Sequence, residues 1–352
     1  MKVLHTDTMR RAGLVLCLIG LGAGAHAVPR ILIVGDSWAV TVWAGRAIDQ
    51  VLQEYGINDV ESVGDLTARG GSTAEDWTAP DWLAAITQQL NAYPTIDTVH
   101  LIIGGNDVLS KIKTTNVFTG WPALLRESWW QEIQNNVQVI VNYCLMHPQV
   151  KHVVISDYDY LNRATVQVIY WILGQTFDFG GMTQGQVNTA FIEVGLKKLA
   201  VAQRTPGCYY VQNFGLLQYH HNTPAGAPHP GVYPDYSPYP GGNSDYPMPD
   251  AAFDTIQIGP FSLPGDGIHP SVEAHKVMVR NAVEQFYLDW YGGGEGEGEG
   301  EGEGEGEGEG EGEGEGEGEG EGEGEGEGEG EGEGEGEGEG EGEGEGEGEG
   351  EG

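Results

Sequence analysis

The sequence contains few cysteines and few positive charges. Only three of its 352 residues are cysteines, and 16 lysines and arginines stand against 55 aspartates and glutamates. So few cysteines cannot form a disulfide framework. The formal net charge of −39 repels phosphate groups, which argues against nucleic-acid binding and against electrostatic docking on anionic lipid.

A long hydrophobic run is also missing. The apolar stretch from Leu14 to Ala25 is shorter than the ~20 residues that a membrane-spanning helix needs. It follows a basic start and precedes the small-residue pair of Ala25 and Ala27, an order typical of a secretory signal peptide over residues 1–27. We therefore expect a secreted protein, extracellular or periplasmic, with no membrane span after signal removal. Two cysteines then stay, Cys144 and Cys208, which either pair or are buried free thiols.

The C-terminal part lacks every apolar side chain. Residues 295–352 are an unbroken alternation of Glu and Gly, a composition that predicts a disordered tail because nothing in it can be buried. All 32 aromatic residues lie between positions 28 and 294. This segment of 267 residues is therefore the part that folds, and its length suits one domain of the larger α/β type.

Short apolar runs alternate with helical spacing along residues 28–294. The runs that predict strands are 30–35, 60–63, 98–103, 151–156 and 208–211, and helical patterns cover 44–55, 133–144, 183–204 and 271–290. This alternation predicts βαβ units and a mostly parallel sheet. Residues 213–264 hold 10 of the 17 prolines, which predicts a long ordered loop that overhangs the site.

Four polar segments follow predicted strands or precede the last helix. They are Gly35-Asp36-Ser37-Trp38, residues 69–73 (RGGST), residues 104–107 (GGND) and residues 266–270 (DGIHP). The carboxyl ends of parallel strands share one edge of a sheet, where sites form. The four segments are therefore expected to converge on one crevice.

The residues in these segments fit acyl transfer. A serine hydroxyl becomes a nucleophile when a base takes its proton, which predicts Ser37 as nucleophile and His269 as base. Asp266, three residues earlier, can orient the imidazole. Oxyanion donors are then the Ser37 amide, the amide of a glycine in the second segment, and the side-chain amide of Asn106.

The order of the four segments resembles the SGNH subgroup of the GDSL esterase/lipase family, across residues 28–290. Ser37, Asn106 and the Asp266–His269 segment match its nucleophile, oxyanion and acid–base blocks. Gly71 best fits the remaining block, with Gly70 as the alternative. The resemblance implies a flavodoxin-like three-layer α/β/α sandwich with a five-stranded sheet and no cofactor. The Gly-x-Ser-x-Gly motif of the α/β-hydrolases is absent, because position 39 is alanine.

The sequence thus predicts a secreted serine esterase acting on a small acyl ester, such as an acetyl group on a carbohydrate. The same site would serve lipid esters, thioesters or acyl transfer, and the alternative from another class is a non-catalytic carbohydrate-binding module. Trp38, in place of the family's leucine, is a candidate for substrate contact. Asp157 and Tyr158 line the crevice or, equally, support the core.

The loop over 213–264 contains tyrosines, histidines and acidic residues whose roles could be structural or functional. Its five tyrosines either stack on sugar rings or stiffen the loop, and they are Tyr219, Tyr233, Tyr236, Tyr239 and Tyr246. Its histidines and nearby acids are His220, His221, His229, Asp235 and Asp245. These lack a recognised ligand spacing, so no metal is expected.

Overall fold

The structure, a computed structural model, describes residues 27–259 and 261–292. Residues 1–26 of the predicted signal peptide and the whole Glu-Gly repeat at 295–352 lie outside these ranges. None of the helices within them combines the length and the hydropathy needed to cross a bilayer.

Five parallel strands form the central sheet. They are β1 (Val28–Gly35), β2 (Val60–Val63), β3 (Thr98–Ile102), β4 (His152–Ser156) and β5 (Cys208–Val211), in the order β2-β1-β3-β4-β5. The residues from Ile31 to Val34 are all 0% exposed, although successive strand residues face opposite sides. Both faces of the sheet are therefore covered. The predicted five-stranded parallel sheet is confirmed, with strand bounds within two residues of those expected.

Ten α-helices occur within the described ranges. They are α1 (Ser37–Ala44), α2 (Ala47–Glu54), α3 (Pro80–Ala92), α4 (Gly105–Ile112), α5 (Gly120–Leu145), α6 (Arg163–Ile172), α7 (Gln184–Arg204), α8 (Leu216–His221), α9 (Val272–Ala282) and α10 (Leu288–Tyr291). One group packs around α9, with α1, α2 and α8, and another around α5, with α3 and α7. These groups are the two outer layers of an α/β/α sandwich.

The helix expected over 44–55 is α2, which begins only at Ala47, and a separate helix, α1, precedes it over 37–44. Arg46 has a left-handed φ of 51°, and this residue separates the two helices. At Gly45 a Cβ atom would lie 2.7 Å from a γ-carbon of Val272 in α9. Helix α9 therefore packs closely on the junction of α1 and α2 and leaves no room for a side chain at Gly45.

The proline-rich stretch 213–264 contains more regular structure than expected. Beside α8 it holds an antiparallel pair of strands, β6 (Thr255–Ile258) and β7 (Phe261–Pro264). Residues 250–253 contact the start of α9, where the Ser271 amide donates to the Ala252 carbonyl at 2.8 Å. This part of the stretch therefore lies beside the segment that carries Asp266 and His269.

Cys144 and Cys208 are both free and buried. Burial raises the pKa of each thiol to about 12, with the nearby Cys144 adding to the shift at Cys208. Because the thiolate is the reactive form, neither cysteine should react quickly with an aromatic disulfide reagent near neutral pH. With residues 1–27 removed, we expect two thiols to titrate in denaturant and none in the first minutes without it. Absence of thiols in denaturant would mean that the two are paired.

Candidate active site

The first strand ends at a turn that only glycine can form. A Cβ atom on Gly35 would lie 1.8 Å from the carbonyl oxygen of Ile102 on the neighbouring strand. Asp36 then caps α1, because its Oδ1 accepts from the Trp38 amide at 2.9 Å. Ser37 is consequently the first residue of α1, at the carboxyl edge of the sheet.

The structure brings Ser37, His269 and Asp266 into one hydrogen-bonded chain. Ser37 Oγ lies 2.7 Å from His269 Nε2, and His269 Nδ1 lies 2.6 Å from Asp266 Oδ2. Ser37 and His269 are 232 residues apart in sequence, so the contact depends on the tertiary fold. All three side chains are partly exposed, which leaves them open to a ligand.

A tight turn holds the aspartate and the histidine together. Asp266 Oδ1 accepts from the amides of Ile268 and His269, both at 2.8 Å, while its other oxygen faces the imidazole. Gly267 allows the turn with a φ of 83°, and a Cβ there would meet the Asn162 carbonyl oxygen at 2.6 Å. A carboxylate can only accept a hydrogen bond, so this contact requires the proton on His269 Nδ1 and leaves Nε2 as the proton acceptor.

The two ionisable partners shift each other's pKa in opposite directions. Burial alone would lower the pKa of His269, but the hydrogen bond and charge of Asp266, with the charge of Asp36, raise it above its usual value. Burial likewise opposes the shift at Asp266, yet its bonds with His269 and the Ile268 amide lower its pKa. The charged carboxylate therefore favours protonation of the imidazole, as a general base requires.

This coupling predicts the pH dependence of kcat/KM. His269 has to be neutral to accept a proton, so kcat/KM should rise with pH along a limb whose midpoint lies above about 6.5. Asp266→Asn removes the charge that raises the His269 pKa, so the midpoint should move to lower pH as turnover falls. Hydrolysis of a short nitrophenyl ester measured over roughly pH 5–9 reports the midpoint. Asp81→Asn, at an exposed position of α3, is the matched control. An unshifted midpoint in Asp266→Asn would contradict the coupling.

The side chain of Asn106 faces the second segment. Its Nδ2 donates to the Ser72 carbonyl oxygen at 3.0 Å, and an amide nitrogen carries a second hydrogen. Gly104, with a φ of 102°, precedes α4 and puts Asn106 in the first turn of that helix. Asn106 is thus oriented by backbone and keeps one donor for a ligand.

The second segment presents two glycines at the same edge. The Ser72 amide donates to the Arg69 carbonyl at 3.2 Å, closing a turn in which Gly71 has a φ of 81°. A Cβ on Gly70 would lie 3.9 Å from Ser37 Cβ, whereas one on Gly71 would meet nothing within 4 Å. Gly70 therefore lies next to the nucleophile candidate, and the choice between the two amides as oxyanion donor stays a prediction.

A narrow cleft adjoins Ser37. Its lining is mainly apolar and comprises Asp36, Ser37, Trp38, Gly105, Asn106, Leu109, Tyr158, Leu161, Phe191 and Ile268. The cavity volume is about 10 Å³, which is the space taken by about one water-sized group. The cleft therefore has space for about one small group beside the serine hydroxyl.

The three further candidates for substrate contact have different surroundings. Trp38 and Tyr158 line the cleft, although each is only 3% exposed. Asp157 lies outside this cleft and is 2% exposed, which agrees with the core-support interpretation. Its carboxylate is buried in an ion pair with Lys198, with 2.5 Å between Oδ1 and Nζ, and it also accepts from the Tyr210 hydroxyl at 2.7 Å.

Lys198 is a residue that the sequence analysis missed. Its side chain is 1% exposed, and its Nζ also donates to the Ile103 carbonyl at 3.2 Å, just before the third segment. A signal was present, since Lys198 follows Val194 by four residues on the apolar side of α7. A lysine at a buried position needs an acidic partner, and in the fold that partner is Asp157.

The loop tyrosines divide into two groups. Tyr236 is buried and its hydroxyl donates to the Tyr210 carbonyl at 2.6 Å, while the half-buried Tyr239 has its hydroxyl 3.1 Å from that of Tyr210. The other three, each about half exposed, are Tyr219, Tyr233 and Tyr246. Within 27–259 and 261–292, no three His, Cys, Asp or Glu side chains form a group that could hold a metal ion.

No family model and no curated protein sequence matches the chain. Among solved structures it is similar to an acetyl xylan esterase from Geobacillus stearothermophilus, at 14% identity over 74% of this chain and 95% of the other, with a TM-score of 0.40. A carbohydrate acetylesterase from Sinorhizobium meliloti matches at 14% identity, over 74% and 99%, with a TM-score of 0.40. A candidate SGNH hydrolase from Slackia heliotrinireducens matches at 13% identity, over 74% and 99%, with a TM-score of 0.34. At these values the function has to be argued from the site itself.

Proposed function

We propose that this protein is a secreted serine ester hydrolase that removes short acyl groups, such as acetyl, from a carbohydrate through an acyl-enzyme. One observation carries the proposal. A hydroxyl, an imidazole and a carboxylate form a continuous chain, with 2.7 Å between Ser37 Oγ and His269 Nε2 and 2.6 Å between His269 Nδ1 and Asp266 Oδ2. This is the arrangement that nucleophilic catalysis at an ester requires.

The reaction follows from this arrangement. Ser37 Oγ attacks the ester carbonyl carbon while His269 Nε2 takes the hydroxyl proton, and Asp266 stabilises the imidazolium. The oxyanion is held by the Ser37 amide, a glycine amide of the second segment and Asn106. Its collapse breaks the ester bond, and His269 gives the proton to the departing alcohol. Water then attacks the acyl-serine by the same steps and frees the acid.

The narrow apolar cleft supports a short acyl group. A methyl group is close in size to water, and the space beside Ser37 holds about one such group. A longer chain inside the cleft would have to displace lining side chains such as Trp38 and Tyr158, which are buried and packed edge to face with ring centroids 4.9 Å apart. Displacing packed aromatic rings is costly, so we infer a preference for acetyl over longer acyl groups.

The proposal of a carbohydrate substrate and the proposal of secretion rest on separate observations. Tyr219 and Tyr246 of the 213–264 stretch are about half exposed, and such rings suit stacking on sugars, whereas Tyr233 packs on Tyr209 and Phe286. Secretion rests on the basic, apolar and small-residue order of residues 1–27.

A series of nitrophenyl esters tests the acyl preference. We expect kcat/KM to be highest for acetate and to fall by at least tenfold by the octanoate, because a pocket discriminates by about 1–3 kcal/mol per added methylene. Measuring acetate release from an acetylated polysaccharide tests whether the substrate is a carbohydrate, with a free acetylated monosaccharide as control. A preference for octanoate would instead favour a lipid esterase.

Covalent labelling tests the reaction class. An organophosphonate ester should modify Ser37 alone, identified by mass spectrometry of the digested protein. Absence of labelling and of turnover on every ester would support the alternative of a non-catalytic carbohydrate-binding module.

A further inference from the structure

We propose that Tyr158 is a positioning residue that holds the nucleophile segment and the oxyanion segment at a fixed separation. The inference rests on the function proposed above and extends it to a residue outside the four motifs. Tyr158 lies just after β4 and is 3% exposed. Its hydroxyl is where the two segments meet.

The hydroxyl makes one hydrogen bond to each segment. It donates to Asp36 Oδ2 at 2.6 Å and accepts from the Gly105 amide at 2.9 Å. Asp36 directly precedes Ser37, and Gly105 directly precedes Asn106. One oxygen atom therefore links the residue before the nucleophile to the residue before the oxyanion donor.

Both carboxylate oxygens of Asp36 accept hydrogen bonds within this arrangement. Its second oxygen accepts from the Trp38 amide at 2.9 Å, so its two carboxylate oxygens hold the start of α1 and the tyrosine hydroxyl respectively. The side chain is 2% exposed, which removes water as a substitute partner. Loss of the tyrosine hydroxyl would leave a buried carboxylate oxygen and a buried amide unpaired.

The ring of Tyr158 is fixed by its neighbours on several sides. Trp38 packs edge to face against it, and the Lys198 ammonium lies 4.7 Å from its centroid. On the remaining side the ring contacts Gly105 so closely that a Cβ there would lie 2.7 Å from the ring carbon that bears the hydroxyl. Glycine at position 105 is thus explained by the tyrosine.

A fixed separation of the two segments should stabilise the transition state more than it increases the affinity for the substrate. Oxyanion donors act when they are in position before charge develops, and a displacement of about 1 Å can lower a rate by about 10²-fold. A substrate held mainly by its alcohol part would bind the altered site almost as before. A hydroxyl that sets this separation should therefore influence kcat and leave KM nearly unchanged.

Tyr158→Phe removes only the hydroxyl and is the direct test. We expect kcat on nitrophenyl acetate to fall about 10- to 100-fold with KM within about twofold. Affinity for a boronic acid that mimics the tetrahedral intermediate should fall by a similar factor. Tyr160→Phe is the matched control, because Tyr160 is 1% exposed and its hydroxyl donates to the Gly241 carbonyl at 2.9 Å.

Both variants should lower the melting temperature, and only Tyr158→Phe should lower kcat and boronate affinity. If the two lose activity equally, or if Tyr158→Phe raises KM alone, the positioning role is wrong. Should Tyr158→Phe not fold, Gly105→Ala approaches the same contact from the other side, and a folded Gly105→Ala with normal kcat overturns the proposal. Failure of the proposed function is distinct, because the unaltered protein would then show neither phosphonate labelling nor ester turnover.

Discussion

Ser37→Ala is expected to lower kcat on nitrophenyl acetate by about 10⁵-fold or more, because without the hydroxyl no acyl-enzyme can form. Residues that act as one unit lose most of their effect when any member is removed, so His269→Ala should be comparable and the double variant little worse. Turnover and phosphonate labelling measure the loss. The fold should be unaffected, since the hydroxyl contacts only a partly exposed imidazole among the described side chains.

Ser110→Ala provides the control for this variant. Ser110 is exposed on α4, and its hydroxyl donates only to the Asp107 carbonyl of its own helix at 2.7 Å. Its removal should leave turnover unchanged. Substantial turnover in Ser37→Ala, above that of a buffer blank, would show that another residue attacks the ester.

Asn106→Ala is expected to have the second largest effect, a fall in kcat of about 10²–10³-fold with little change in KM. The amide of Asn106 has one hydrogen on the Ser72 carbonyl, and the other is free for the oxyanion. Loss of the first bond should also lower stability modestly, by about 1 kcal/mol. Thermal unfolding of each variant separates the two effects.

Asn142→Ala is the matched asparagine change, since Asn142 is exposed on α5 and only contacts Gln138 of the same helix. It should change neither kcat nor KM. A folded Asn106→Ala with normal kcat would remove that side chain from the oxyanion site.

The three central strands could be predicted because each contains an apolar run that is buried on both faces. Residues 60–63 and 208–211 have the bounds that their sequence indicates. The close packing at Gly45, between α1 and α2, could not, because its partner Val272 is more than 200 residues away in sequence. The antiparallel pair at 255–264 was hidden by prolines, which read locally as a loop.

The site shows the same division between local and distant information. The segments that carry Ser37, Asn106 and His269 could be found, since each contains its own turn chemistry next to a strand or helix. The linking role of Tyr158 could not, because its partners at 36 and 105 belong to different segments. The two interpretations of Asp157 stayed open for a related reason, as nothing near it in sequence reveals Lys198.

The four-residue turn of Asp266 and His269 has a consequence for how activity is lost on heating. The acid–base pair is local, but its distance from Ser37 depends on how α9 docks, through the contact of Val272 with Gly45 at the end of α1 and the ion pair of Arg280 with Glu54 of α2. Fraying of this C-terminal helix would separate base from nucleophile while the sheet is still intact. Inactivation should therefore precede the global melting transition, and a covalent link between α9 and α2 should bring the two temperatures together.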